Sequence, residues 1–414
     1  MLTPIVLTAP SAAALGEAAG SLVHAGVAPE GLPRFGRDLA ARADPTHPYR
    51  TVLLAEDPAD LAAVAPVSGP VPAPEGLAFL FSGQSSQRPG MGVALGREFP
   101  EFGRVVDEVC AHVDARRPTP LGAILADPGE PGPDGLRAID RTEHTQPALL
   151  AFALGLHGLL GTAGIAPDVV CGHSFGELAA AAATGVWTVP DACDVVVERG
   201  RLIAALPPGG TMTAIAASEA DVAPALRGTG VEFSAVHAPD SVVIAGPVEQ
   251  VRAIAAAYDA RGVRTTELAV GNAYHSAAVE PVLEPLRTVL EKAPAGPSGV
   301  PLVGNTSGGV VEPGAPAAAE HWLRHVRHTV RWSDVMTTLR ARGTGTYLEI
   351  GPSGVLSRLA VANLDPADAD AVVPAVTGDP DEVTTFLHAL ARLDARGHPV
   401  DWPSVFAAST TLSA

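Results

Sequence analysis

Lysine is almost absent from this chain: Lys292 is the only one, and arginine carries nearly all the positive charge. That bias reads as codon usage and assigns no function. Positive charge is itself scarce, with 27 Lys and Arg against 45 Asp and Glu and a formal net charge of −18. Binding a phosphate backbone needs a basic face, so no nucleic-acid partner is expected. The same balance argues against adhesion to an anionic membrane. Cysteine is limited to Cys110, Cys171 and Cys193, an odd number at spacings that suit neither a disulfide framework nor a zinc site. That usage fits a reducing, cytoplasmic setting. No Lys or Arg precedes Arg34, so a basic secretory start is missing and no signal peptide is expected. No apolar run reaches about 18 residues without Pro, Gly or charge clusters, and no membrane span is expected.

What is present is enough apolar material for a large core. The chain has 414 residues, 47% of them hydrophobic, which at roughly 150 residues per domain predicts two or three folded units. Residues 5–8 and 51–55 read as short strands of a small first unit, followed by a proline-rich linker over residues 65–76. Residues 77–81 form a continuous apolar run suited to a buried parallel strand. Residues 148–160 read as a buried helix, and residues 168–171 as a strand running into Gly172-His173-Ser174-Phe175-Gly176 and an Ala-rich helix. Further strands at 300–303 and 346–350 alternate with helices, which predicts an open α/β sheet. Between them, strands at 211–216, 232–236, 242–245 and 265–270 and helices at 219–226 and 248–261 follow a β-α-β-β-α-β order. That order is the ferredoxin-like split unit, here an insertion that would leave a cleft where the chain departs and returns. The last residues, from about 370, read as a strand (372–376), a helix and a tail.

The segment 172–176 matches the G-x-S-x-G nucleophile elbow, and it has the preceding strand and following helix that such a turn requires. A helix N-terminus there would point free N–H groups at a developing oxyanion. The polar loop 81–87 follows a strand end, where a second oxyanion donor would arise. A serine nucleophile needs a base, and the base needs a group to hold its tautomer. His275 lies at the return of the insertion, yet His144 and His173 are not excluded by arithmetic on the sequence. Arg199 sits in a helix after the elbow. Such arginines are usually solvated or paired, but a buried one can grip a carboxylate through two parallel bonds. Arg324, Arg327 and Arg331 form a basic block on an acidic chain. Contact with the phosphates of a ligand or with acidic helices of a partner is one reading, and internal pairing with nearby acids is favoured.

Seven blocks taken together resemble the malonyl-CoA:acyl carrier protein acyltransferase family, in particular the acyltransferase domains of type I polyketide synthases. They are FSGQSSQRPGMG (81–92), RTEHTQPAL (141–149), GHSFGE (172–177), ERGRLIAALPPGG (198–210), NAYHS (272–276), GNTSG (304–308) and HWLRHVRHTVRW (321–332). The resemblance implies an α/β fold: an α/β-hydrolase-like parallel-sheet domain (76–205 and 273–369) with an inserted ferredoxin-like subdomain (206–272). Before it, residues 1–75 resemble a ketosynthase-to-acyltransferase linker domain of α+β type, and 370–414 a post-acyltransferase linker. It implies Ser174 as nucleophile, His275 as its base, and the Asn305 backbone carbonyl as the group orienting the imidazole. The N–H groups of Gln84 and Phe175 would form the oxyanion hole, Arg199 would bind the substrate carboxylate, and Gln146 would line the pocket. No bound cofactor is implied. The donor would be malonyl-CoA or a related acyl-CoA, and the acceptor the phosphopantetheine thiol of an acyl carrier protein. Ketosynthase and other domains of the same multienzyme would be further partners.

The acyl group is read from residues 272–275. Family members tend to carry HAFH there for malonyl and YASH for methylmalonyl, against Asn272-Ala273-Tyr274-His275 here. The bulky Tyr274 would fill the space of a C2 substituent, and Phe175 is not the glutamine usual in methylmalonyl domains. Both favour malonyl, while Asn272 matches neither pattern. Ser82 stands where proline is usual and Ser85 where glycine is usual, which puts strain in the Gln84 loop in question. Competing readings are a serine hydrolase that clears acyl thioesters and a catalytically silent docking domain.

Overall fold

The computed structural model describes residues 2–63, 69–117, 119–133, 135–379 and 381–413. Strands β1 (Thr3–Ala9) and β2 (Tyr49–Ala55) pair antiparallel in the first unit. Ile5, Leu7, Leu15 and Leu32 give it a small core of its own. Of the expected linker 65–76, residues 65–68 lie outside the described residues, and Gly76 already opens the next strand.

The main sheet has five strands, all parallel, in the order β11-β10-β3-β4-β9. Here β3 is Gly76–Phe81, β4 Val169–Gly172, β9 Leu302–Val303, β10 Thr344–Ile350 and β11 Val372–Pro374. Residues 77–81 of β3 and the whole of β4 are buried, as runs covered by helices on both faces must be. The long helix Thr142–Thr162 is buried along most of its length and fills the core on one side. The chain runs outward from β3 through β4 to β9, then crosses back to β10 on the other side of β3. That reversal opens a crevice at the carboxyl ends of the strands, where α/β sheets bind ligands.

The insertion contributes β5 (Gly210–Ile215), β6 (Glu232–Ala238), β7 (Ser241–Pro247) and β8 (Thr265–Glu267), with helices Glu219–Leu226 and Val248–Asp259. Its sheet order is β6-β7-β5-β8, antiparallel throughout, which is the ferredoxin-like arrangement. Side-chain alternation divides it cleanly. Val242 and Ile244 face its own helices beside Val222 and Val251, whereas Val243 and Ala245 pack towards Ala78, Leu80 and Cys171 of the main sheet. The expected strand 265–270 is regular only to Glu267, although Leu268 N–H still donates to the Met212 carbonyl at 2.9 Å.

The expected boundary at residue 370 cuts the main sheet, because β11 pairs in parallel with β10. The tail beyond it then returns to the first unit: Arg50 pairs with Asp394 at 2.6 Å, and Arg37 donates to the Ser413 carbonyl at 2.5 Å. No helix of the described residues is long and apolar enough to cross a membrane.

Candidate active site

Among the described residues, three that are not glycine have left-handed backbone: Ser85 (φ 78), Ser174 (φ 49) and His275 (φ 56). All three line one cavity of about 270 Å³ between the main sheet and the insertion. Strained backbone concentrated in this way marks a site whose surroundings force its shape. At the elbow the cause is visible. A Cβ on Gly172 would lie 2.0 Å from the Gly176 carbonyl carbon, and one on Gly176 would lie 2.0 Å from the Phe81 carbonyl oxygen. Only glycine at both positions lets β4, the turn and the helix Phe175–Ala183 close so tightly.

The turn lifts Ser174 Oγ to 2.7 Å from His275 Nε2. His275 Nδ1 lies 3.0 Å from the His328 carbonyl, which can only accept, so the proton sits on Nδ1 and Nε2 is free to take the serine proton. Burial, with His325 and Arg199 nearby, pushes His275 down to about 3, so the ring is neutral at physiological pH. The orienting group differs from the expected Asn305 carbonyl, which instead accepts the Arg331 N–H at 2.8 Å. The reason lies in the insertion. Val330 exchanges backbone hydrogen bonds with Ser234 and Val236 of β6, and that pairing fixes the segment presenting the His328 carbonyl.

Asn305 acts through its side chain. Its Oδ1 accepts the Ser174 N–H at 2.9 Å, and its Nδ2 donates to the Gly172 carbonyl at 2.6 Å. Behind it, Glu177 accepts from the Asn305 N–H at 2.7 Å, the Asn305 amide at 2.5 Å and His321 Nε2 at 2.9 Å. Burial alone would push this carboxyl up, but His325, His321 and the Asn305 N–H hold it down to about 2. His325 Nε2 donates to the Ser174 carbonyl at 3.0 Å. Glu177, His321 and His325 were not singled out from sequence. The i, i+4 spacing of the two histidines, which puts both on one face of the helix Ala319–Arg327, is the signal that carries them.

Arg199 is 4% exposed, and its Nη1 donates to Gln146 Oε1 at 2.6 Å. Its Nε has no partner, no carboxylate pairs with it among the described residues, and burial pushes it down to about 10. Gln146 is fully buried and does not line the cavity; its Nε2 donates to Thr142 Oγ1 at 2.8 Å, while Arg199 stands behind the lining beside Tyr274. Tyr274 and Gln84 do line the cavity. Asn272 does not: its amide nitrogen donates to the Pro207 carbonyl at 3.0 Å, pinning the point where the insertion leaves and returns. The Phe175 ring is buried in the core, while its backbone begins the helix whose first N–H groups have no intrahelical acceptors.

The remaining expectations divide. Arg327 pairs with Glu232 at 2.8 Å and Glu280 at 3.0 Å, and Arg331 with Glu219 and Asp334 at 2.7 Å each, so these two arginines serve internal pairing. Arg324 is exposed. His144 contacts Arg117, and His173 contacts His237 of β6 at 3.0 Å, so neither competes with His275 for Ser174. Ser82, where proline was expected, donates to the buried Glu349 at 2.6 Å across the crevice. Among the described residues no cluster of three or more His, Cys, Asp or Glu is arranged to hold a metal ion.

A parallel α/β sheet with an elbow serine at a strand end, roofed by a ferredoxin-like insertion, defines the acyltransferase class of fold. The chain belongs to the acyl transferase domain family, whose sequence model matches residues 78–400. It is 42% identical over 335 residues to the polyketide synthase GfsA of Streptomyces halstedii, covering 80% of this chain but 4% of that much longer protein. Among solved structures it is similar to the acyltransferase domain from the second module of the salinomycin polyketide synthase. The TM-score there is 0.78 and the identity 36%, over 97% of this chain and 95% of that one. It is also similar to a malonyl-transacylase in complex with its type II acyl-carrier protein. In that case the TM-score is 0.66 and the identity 30%, over 76% of this chain and 99% of that one.

Proposed function

We propose that this chain transfers a malonyl-type acyl group from acyl-CoA to the phosphopantetheine thiol of an acyl carrier protein in polyketide assembly. The observation that carries this reading is a buried Arg199 that no carboxylate of the described residues pairs with, close enough to His275 to influence its charge. An arginine so placed favours a substrate that brings its own carboxylate, because an acyl group without one leaves the cation unpaired at a cost of roughly 2–5 kcal/mol. The malonyl-transacylase relative and its carrier protein support both the acyl class and the acceptor.

In the reaction, His275 Nε2 takes the Ser174 proton as Oγ attacks the thioester carbonyl. The Gln84 and Phe175 N–H groups receive the oxyanion, and CoA leaves with the proton from His275. The carrier thiol then gives its proton to His275 and attacks the ester carbonyl, and His275 returns that proton to Ser174 Oγ as the serine leaves. Arg199 holds the distal carboxylate throughout, and the Tyr274 ring limits bulk at C2, favouring malonyl over methylmalonyl.

The test is intact-protein mass spectrometry after brief mixing with malonyl-, methylmalonyl- and acetyl-CoA in competition, with Ser174→Ala as control. A malonyl adduct absent from the control is expected. A methylmalonyl adduct would overturn the Tyr274 argument, an acetyl adduct the Arg199 argument. Free CoA without an adduct would favour a hydrolase.

A further inference from the structure

The Gln146 amide that accepts from Arg199 is itself part of a longer chain. A hydrogen-bonded chain runs from Arg199 Nη1 to Gln146 Oε1 (2.6 Å), from Gln146 Nε2 to Thr142 Oγ1 (2.8 Å), and from Thr142 Oγ1 to Gln84 Oε1 (2.5 Å). Its direction is dictated by chemistry. A guanidinium only donates, so the amide oxygen of Gln146 must face Arg199 and its nitrogen must face Thr142. The Thr142 hydroxyl, accepting there, is left to donate to Gln84.

Local structure makes the chain short. Thr142 opens the helix Thr142–Thr162, and Gln146 stands one turn further on, so the two side chains share a face. Helix Val189–Ala204 approaches that turn closely, since a Cβ on Gly200 would lie 3.1 Å from Glu143 Cα. Gly200 follows Arg199, and the close approach brings the arginine to Gln146. At the far end, Gln84 sits in the loop strained at Ser85.

We infer that Thr142 is a positioning residue that couples the carboxylate clamp at Arg199 to the Gln84 loop. The inference rests on the proposed transfer of a malonyl-type group. An anion on Arg199 completes the guanidinium's bonds, fixes the Gln146 amide, and through the Thr142 hydroxyl holds Gln84 with its backbone N–H facing the thioester. An acyl group without a carboxylate gains none of this. Cooperative polarisation along such a chain strengthens each bond in it.

The experiment is single-turnover acylation of the full chain by malonyl-CoA and by acetyl-CoA, comparing wild type, Thr142→Val and Thr142→Ser. Thr142→Val, which keeps shape and loses the hydroxyl, is expected to slow malonyl transfer at least 10-fold at saturation. The half-saturating malonyl-CoA concentration and the slow acetyl rate should stay within about 2-fold. Thr142→Ser should restore most of the malonyl rate. Gln84→Met breaks the same bond from the other side. Combined with Thr142→Val it should add no further loss, which keeps the test decisive if one variant folds poorly. Equal slowing of both acyl groups, a change confined to half-saturation, or an unchanged malonyl rate would each overturn the coupling. Failure of the wild type to form a malonyl adduct on Ser174 would overturn the functional reading as well, and that result is seen before any Thr142 variant is made.

Discussion

Ser174 itself is held at every polar group: Asn305 holds its N–H, His325 its carbonyl and His275 its hydroxyl, with Glu177 accepting from Asn305 and His321 behind them. Around Arg199 the opposite holds. A buried cation has one neutral amide as its hydrogen-bonded partner, and its Nε has none. Burying a charge without a counter-charge is costly, so a fold that keeps one is incomplete there without an anion. On the proposed function, the Ser174 end is preorganised for chemistry and the Arg199 end for a ligand, which would put reactivity at the first and selectivity at the second.

Removing the clamp should break this division most sharply. Arg199→Gln is expected to lower malonyl transfer by about 2–5 kcal/mol, roughly 30-fold to several thousand-fold, while leaving acetyl transfer unchanged or raising it. Rapid-quench acylation with both thioesters measures the ratio. Parallel losses for the two would show that Arg199 serves the dyad and not the substrate, and the contrast between the ends would disappear.

Glu177→Gln strikes the other end. The carboxylate takes only donors, from the Asn305 N–H, the Asn305 amide and His321. An isosteric amide presents its own N–H to at least one of them. A loss of ~2–4 kcal/mol in stability is expected, with a lower acylation rate for every acyl-CoA because Asn305 loosens its hold on Ser174. Thermal melting and the malonyl-to-acetyl ratio separate this from a clamp effect: the ratio should not move.

Much of this contrast was legible in the sequence, and the reason is local chemistry. The elbow announces itself through Gly172 and Gly176, which the turn needs whatever surrounds it. The ferredoxin-like order follows from period-two patterning that the two-faced sheet requires, as Val242 to Ala245 display. What could not be read was set by backbone atoms and by long-range pairing. A carbonyl carries no residue signature, so the orienting role fell to Asn305 until the pairing of Val330 with β6 put the His328 carbonyl at the ring. The family pattern at 272–275 places Asn272 at the pocket, whereas its amide turns to the Pro207 carbonyl. The boundary at 370 failed for a similar reason: β11 is short, and only its partner β10 makes it part of the sheet.

The pH dependence sharpens the comparison with a smaller effect. His275 lies near 3, and burial pushes His237 and His325 to about 4 and His173 well down. Since their folded values lie below the ordinary 6.5, the unfolded chain binds more protons under that pH. Their contribution to stability is therefore complete above about 6.5 and is lost as pH falls towards 3–4. Between pH 8 and 6 acylation should change by less than about 2-fold, with no inflection near 6.5. An inflection there would mean that the base titrates as an exposed imidazole and that the nucleophile end is not closed.

The smallest effect concerns the strain itself. Ser174 and His275 hold left-handed backbone because the elbow and the dyad demand it, but Ser85 makes its own contact through a backbone N–H, donated to Gln87 Oε1 at 2.7 Å. Glycine would keep that bond and remove the roughly 1 kcal/mol cost of a side chain in this conformation, offset in part by the greater freedom of the unfolded chain. Ser85→Gly should therefore stabilise by ~0.5 kcal/mol, about 1 °C in melting temperature for a chain of this size, with the acylation rate unchanged. A lower melting temperature would mean that the Ser85 side chain contributes more than its conformation costs. A changed rate would mean that the strain presenting Gln84 belongs to the reactive end of the site after all.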